Sequence, residues 1–384
     1  MLEPQQYRAN EQLAKSAIPS WRIARIHNLD LFERVGFPVR ISTIRELGQI
    51  IDTMQENRFD RYMAELGGLS DDEFGLFLEA CKDSVRFQLT YLPHRPAVLP
   101  LSTLMSALAI YKKIKGAKPD VESILEIGPG CGYVSFFLRH HARLTNYSQI
   151  ESCESFYILQ NLVNVFCFGP RQDERALISN AGSAADYFTN PRGDFEVPPP
   201  VRATGLSPIC FHYPWWRIGE LARREASFDV VTSNANLLEF SALALDDYLT
   251  LLHRVMKPDG VFFVQCTGFD ANGTVPELLD KLYAKGFAPL MFVKESDPTS
   301  FPDEGLGRFL KKAITNKISF TNNNAVFVKS GHPLFEKYND YKNYHFQFVA
   351  PEPIVRSMFF ERPSQRRSYT IEQVTAATED GLAK

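Results

Sequence analysis

The sequence predicts an α/β fold: a largely parallel sheet covered on both faces and preceded by a helical region. Three observations predict it. From about residue 121, short apolar runs alternate with segments of helical spacing, as in parallel sheets whose connections cover both faces. Before about residue 95 there is no strand-like alternation, only apolar residues at helical spacing. At the junction stands SILEIGPGCGYVSFFLRHH, Ser123 to His141: an apolar run, three glycines two residues apart, then a second run with helical spacing.

The elements follow in order. IRELGQIIDTMQENRFDRYMAEL, Ile44 to Leu66, carries the helical period. In LSDDEFGLFLEACKDSVRFQL, Ser70 is an N-cap with acids in the first turn. The three prolines of YLPHRPAVLP break the pattern, and a helix from Leu101 to about Lys115 leads into the glycine-bearing stretch. The strand candidates are SILEIG, YSQIES, SPICFHY, FDVVTSN, GVFFVQCTG, APLMFVKE and NAVFVKS. The segment NAGSAADYFTNPRGDFEVPPPVRATGL, rich in Pro, Gly and Ala, reads as an insertion loop at about 180–206. The tail from about 336 is aromatic, then polar, and its end reads as mobile or as a short surface helix.

Composition narrows the function classes. The 384 residues are 45% hydrophobic and 23% charged with a net charge of -3, an ordinary globular profile without the basic field that holds a nucleic-acid backbone. The six cysteines, Cys81, Cys131, Cys153, Cys167, Cys210 and Cys266, form no CxxC pair and no zinc spacing, so neither a metal site nor a disulfide framework is expected. A polar N-terminus, MLEPQQYRANEQ, and the absence of a bilayer-length apolar run lead to the expectation of a cytoplasmic protein without membrane contact.

Three glycines and an acid exceed what a tight strand-to-helix turn requires, and point to a ligand that comes close to the backbone. Two ligand classes compete. The dinucleotide fingerprint GxGxxG is met by Gly128 and Gly130, but its third position falls on Tyr133. The pattern is instead E-x-G-x-G-x-G, from Glu126 through Gly128 and Gly130 to Gly132. It resembles the first motif of class I S-adenosylmethionine-dependent methyltransferases. FDVVTSNANLLEF, Phe228 to Phe240, resembles the fourth strand of that family, and LLHRVMKPDGVFFVQ its following helix, proline-glycine turn and fifth strand.

The resemblance implies a Rossmann-like seven-stranded sheet and S-adenosyl-L-methionine as cofactor. The glycine turn would pack against the methionine and ribose parts, with Glu126 helping to hold the ammonium group. As an acid beside a helix N-terminus, Glu126 is expected to stay ionised. Glu151, 19 residues beyond Gly132, would accept the ribose hydroxyls, with Glu154 as its competitor and a solvated strand-end acid as the plainer reading. Strand ends converge on one crevice in such sheets. That places Tyr213, Asn234 and Gln265 beside Gly130 and Glu151, with Tyr133 and Asn236 completing the expected cofactor set. The implied domains are a helical region at 1–95, a methyltransferase domain at 96–335 and a C-terminal extension at 336–384.

QIESCESFYILQNLV and TSNANLLEFS look similar to segments of the sugar O-methyltransferase group. This implies a small hydroxylated acceptor, with no nucleic-acid partner. The candidate bases are His212 and Glu239, each of which has a structural reading too: a packed histidine and a helix-start acid. Trp215 or Trp216 either stacks on adenine or packs in the core. Residues 1–95, with the 180–206 insertion, are expected to roof the acceptor pocket; a helical dimerisation arm, giving a homodimer, is the other role the pattern allows. Two other functions stay open: a non-catalytic S-adenosylmethionine-binding subunit, and an NAD(P)-dependent oxidoreductase.

Overall fold

The computed structural model describes residues 2–20, 22, 33, 36–54, 58–177, 182–191, 193, 206–234, 236, 237, 239–265, 275–293, 324–333 and 365–383. Among them, five helices precede the sheet: α1 (Pro4–Ala17), α2 (Leu47–Thr53), α3 (Phe59–Leu66), α4 (Asp71–Tyr91) and α5 (Leu101–Ala117). Ser70 caps α4 as its sequence predicts: its Oγ accepts the Glu73 N–H, and the Glu73 carboxylate accepts the Ser70 N–H.

The sheet has strands β1 (Ser123–Ile127), β2 (Asn146–Glu151), β3 (Gln172–Glu174), β4 (Cys210–Pro214), β5 (Phe228–Asn234), β6 (Met256–Gln265), β7 (Phe287–Val293) and β8 (Asn324–Lys329). Their order is β3-β4-β2-β1-β5-β6-β8-β7. Pairs from β3 to β6 are parallel, while β8 runs antiparallel to both β6 and β7. All five residues of β1 and all five of β4 are buried, which is why they read as apolar runs and not as alternation.

Eight strands replace the expected seven. The extra one, β3, is the three-residue polar segment Gln-Asp-Glu, which has no apolar signal and becomes a strand only by pairing with Cys210–His212. The expected helix after the glycine turn shrinks to one turn, α6 (Ser135–Leu138). The proline-glycine turn before the fifth predicted strand is absorbed into one long β6, with a register irregularity opposite Phe228 and Val230.

The N-terminal region is embedded and not laid over the sheet. Tyr7 of α1 is fully buried, its ring 5.0 Å from Tyr157 and 4.8 Å from Trp216. Tyr157 belongs to α7 (Glu154–Phe168), which opens with Glu154. Arg8 and Arg40 both pair with that carboxylate, at 2.7 and 2.5 Å. Nor is the insertion wholly a loop. Its described part forms α8 (Gly182–Thr189), which buries Tyr187 and Phe188 and packs on α1 and on α9 (Ile218–Ala222). The remaining helices among the described residues are α10 (Ala242–Val255), α11 (Val275–Ala284) and α12 (Ile371–Ala383).

The C-terminal segment is a helix, and it docks on α4. Val374 and Thr378 of α12 are buried, Tyr369 stacks on Phe74 at 3.8 Å, and Arg366 pairs with Glu73. Most of 336–384 ahead of that helix lies outside the described residues, as do Gln265's side chain and Cys266. The other five cysteines are free. Among the described residues no helix is long and apolar enough to cross a membrane, and no cluster of acids, histidines and cysteines is arranged to hold a metal ion.

Candidate functional site

The glycine turn follows β1, whose neighbours are β2 on one side and β5 on the other. This is the point where strand order diverges, and in open α/β sheets a crevice forms there beyond the strand ends. All three glycines take left-handed backbone, with φ of 61°, 58° and 73° at Gly128, Gly130 and Gly132. They do so for different reasons. A Cβ on Gly128 would lie 2.0 Å from Asn236 Nδ2, and one on Gly132 would lie 3.0 Å from Gln160 Cγ. At Gly130 a Cβ would meet nothing within 4 Å. Two glycines therefore serve packing, and one presents bare backbone to open space.

That space is a cavity of about 160 Å³. Glu126, Gly128, Gly130, Tyr133 and Asn234 line it. Glu126 is 2% exposed and accepts the Tyr147 hydroxyl at 2.5 Å. Tyr147 in turn accepts from Gln149 Nε2 at 2.5 Å, so the acid sits on a fixed polar chain. Burial pushes the Glu126 carboxyl up to about 7, against the pull of hydrogen bonds from Tyr147 and Asn234. The expectation that it stays fully ionised is corrected: a one-turn helix offers little dipole, and desolvation leaves it about half protonated at pH 7. Asn234 also lines the cavity, and its Oδ1 is buried without a hydrogen-bond partner.

Other predicted residues do different work. Asn236 braces the turn: its Nδ2 donates to the carbonyls of Ile127 at 2.6 Å and Gly128 at 3.1 Å, and its Oδ1 accepts from Ser233. It positions the glycine backbone and leaves no amide hydrogen for a ligand. Glu151, 6% exposed, accepts from the N–H groups of Ser152 and Cys153 at 2.8 and 2.9 Å through Oε1, and from Gln160 at 2.9 Å through Oε2. Burial raises its pKa, and these hydrogen bonds oppose the rise. Gln160 also donates to the Gly130 carbonyl at 2.6 Å, which ties the predicted ribose acid to the turn.

His212 is corrected as a candidate base. It is fully buried, stacks on Tyr157 at 3.8 Å, and has Glu174 Oε2 at 3.1 Å from Nδ1 and Gln160 Oε1 at 3.0 Å from Nε2. Both ring nitrogens are engaged on the sheet face covered by α7, with no opening toward an acceptor. Tyr213, the next residue along β4, necessarily points to the other face. There its buried ring lies 5.7 Å from Arg175 and 6.0 Å from Arg224, so its side chain is not part of the cavity. Trp215 and Trp216 are core residues, each 1% exposed; Trp215 Nε1 donates to Glu11 at 3.2 Å. Glu239 is half-buried in the turn after β5, its N–H donating to the Asn236 carbonyl at 2.9 Å.

The opposite cavity wall comes from the N-terminal region. Arg58 and Tyr62 approach from the α3 segment, and Ser102, Thr103 and Ser106 from the first turns of α5. None of these was expected from the sequence. The signal available was the row of small hydroxyl residues at 102, 103 and 106 in the otherwise apolar first half of the helix, with 102 and 106 one turn apart on a single face.

No protein-family model matches the chain, and no curated protein does. Among solved structures it is similar to a TehB-like SAM-dependent methyltransferase from Corynebacterium glutamicum, at 12% identity and TM-score 0.34, covering 58% of this chain and 87% of that one. It is similar also to an S-adenosylmethionine dependent methyltransferase from Mesorhizobium loti, at 11% identity and TM-score 0.32, over 57% and 97%. A third is 1,6-didemethyltoxoflavin-N1-methyltransferase from Burkholderia thailandensis with bound S-adenosylhomocysteine, at 15% and 0.31, over 58% and 76%. Likeness at this level assigns neither activity nor substrate to this chain.

Proposed function

We propose that this chain binds S-adenosylmethionine and transfers its methyl group to a hydroxyl of a small, sugar-like acceptor. The observation that carries the cofactor reading is the bare left-handed backbone of Gly130, open beside Glu126 and Asn234 at the divergence point of the sheet. An amino-acid ammonium fits an acid and an amide oxygen. The cavity is smaller than the ~300–1,000 Å³ of typical ligand sites, so it suits the amino-acid end, with the nucleoside toward Glu151. A pyrophosphate fits less well. It needs the N-terminus of a substantial helix, and α6 has four residues with Tyr133 in place of the third fingerprint glycine. That disfavours the oxidoreductase reading.

When bound, the sulfonium supplies an already activated methyl group. The protein's part is to hold the acceptor in line with it, an effect worth about 7–11 kcal/mol, and to take the hydroxyl proton. Of the two sequence candidates for that base, Glu239 is the one with partial exposure. The sugar-like acceptor rests on the sequence resemblance alone. Titration calorimetry tests the cofactor: micromolar S-adenosylmethionine binding and no NADH binding are expected, and the reverse sinks the proposal. Cofactor binding without methyl transfer to any hydroxylated acceptor would leave the non-catalytic subunit as the function.

Glu126 gives this reading a pH signature. Its folded pKa of about 7 lies above the ordinary value of 4.5. Its contribution to stability is therefore full below about 4.5 and lost as pH rises through about 7. Binding runs the other way, because the ionised acid is the form that holds an ammonium. Affinity should rise as pH climbs through 7, then fall once the ligand's own α-amino group, with pKa near ~8, loses its charge. In Glu126→Gln the acid limb should disappear. A wild-type profile flat between pH 6 and 7.5 would show that this carboxyl does not meet the ligand's cation.

A further inference from the structure

We infer that Arg58 holds the carboxylate of the cofactor's amino-acid end while Glu126 holds its ammonium, so that the N-terminal helical region supplies half of the cofactor site. This deepens the S-adenosylmethionine reading and rests on it. The cavity at the glycine turn has two ionisable walls. One is Glu126 on β1, and the other, from outside the sheet, is Arg58, directly ahead of α3. Sugar hydroxyls can hydrogen-bond to an acid and a guanidinium but do not need their opposite charges. An α-amino acid, with both charges on one carbon, uses both. A guanidinium also matches a carboxylate with two parallel N–H groups.

Arg58 is held in place to do this. Its backbone N–H donates to Ser102 Oγ at 3.2 Å, in the first turn of α5. The neighbouring Thr103 hydroxyl donates to the Met54 carbonyl at 2.8 Å, which ties the chain ahead of the arginine to the same turn. The start of α5 carries no side-chain cap, so its partial positive charge lies on the arginine's side of the cavity. The carboxylate wall and the cationic wall are thus separate elements, one from the sheet and one from residues 54–106. The roof expected over the acceptor becomes a working wall of the cofactor pocket.

The experiment compares two ligands on the full-length protein by calorimetry: S-adenosylhomocysteine, and 5′-methylthioadenosine, which lacks the amino-acid end. Arg58→Ala should weaken S-adenosylhomocysteine by about ten- to a hundred-fold and leave 5′-methylthioadenosine unchanged. Arg58→Lys should recover part of the loss, since a point charge replaces the fork. Arg58 is exposed, so the variants should melt as the parent does. If Arg58→Ala binds S-adenosylhomocysteine like the parent, or loses both ligands equally, the inference is overturned while the cofactor reading stands. If the parent binds neither ligand, both fall together.

Discussion

Gly130→Val should abolish cofactor binding and leave the fold standing, whereas Gly128→Ala should damage the fold itself. The two glycines look alike in sequence, two residues apart and both left-handed, but their surroundings differ. A side chain at Gly130 grows into the open cavity, where the ligand would lie. Its cost to stability is the left-handed backbone alone, about 1–2 kcal/mol. A side chain at Gly128 runs into Asn236 Nδ2 and breaks the brace from β5 to the Ile127 and Gly128 carbonyls. That adds about 1–3 kcal/mol for buried polar groups left without partners. Thermal unfolding beside titration calorimetry separates the two. Should Gly130→Val bind S-adenosylmethionine as tightly as the parent, the open glycine is not where the ligand sits.

The same contrast shows what the sequence can and cannot display. The glycine turn and the buried strands, β7 and β8 among them, were legible because burial on both faces writes itself as apolar runs, and close backbone approach as glycine. Short-range caps such as Ser70 and Glu73 were legible for the same local reason. What escaped was set by pairing across long sequence separations. Gln172–Glu174 is three polar residues, and it becomes a strand because Glu174 meets His212, 38 residues on. His212 itself reads as a candidate base, since a histidine after an apolar run looks the same whether it faces a crevice or a tyrosine ring. Asn236 was rightly placed beside the turn, yet as its brace. Arg58 lay in a helical region with no motif, and only folding brings it into one cavity with Glu126.

Glu154→Ala should lower stability by about 3 kcal/mol and leave cofactor affinity intact, while Glu151→Ala should weaken the cofactor and also cost about 1–3 kcal/mol for the donors it leaves unpaired. Two acids three residues apart compete in the sequence for the ribose. The structure gives them separate surroundings. The Glu154 side chain is completely buried and receives Arg8, Arg40 and the Ile41 N–H, which lock α1 and the 36–54 segment onto the start of α7. Removing one partner of a buried pair typically costs about 3–5 kcal/mol. The lower end applies here, because Arg8 is 39% exposed and can turn to water, and Arg40, 36% exposed, keeps Glu11 as a partner. Glu151 instead is bound to Gln160, and through it to the Gly130 carbonyl at the cavity. Losing charged acceptance of the ribose hydroxyls should weaken S-adenosylmethionine by about 1.5–3 kcal/mol, ten- to a hundred-fold. Melting curves and calorimetry on both variants decide. If Glu154→Ala melts with the parent but loses the cofactor, the ribose belongs to the second acid, and the arginine pair is a surface ornament of α1 and not its lock.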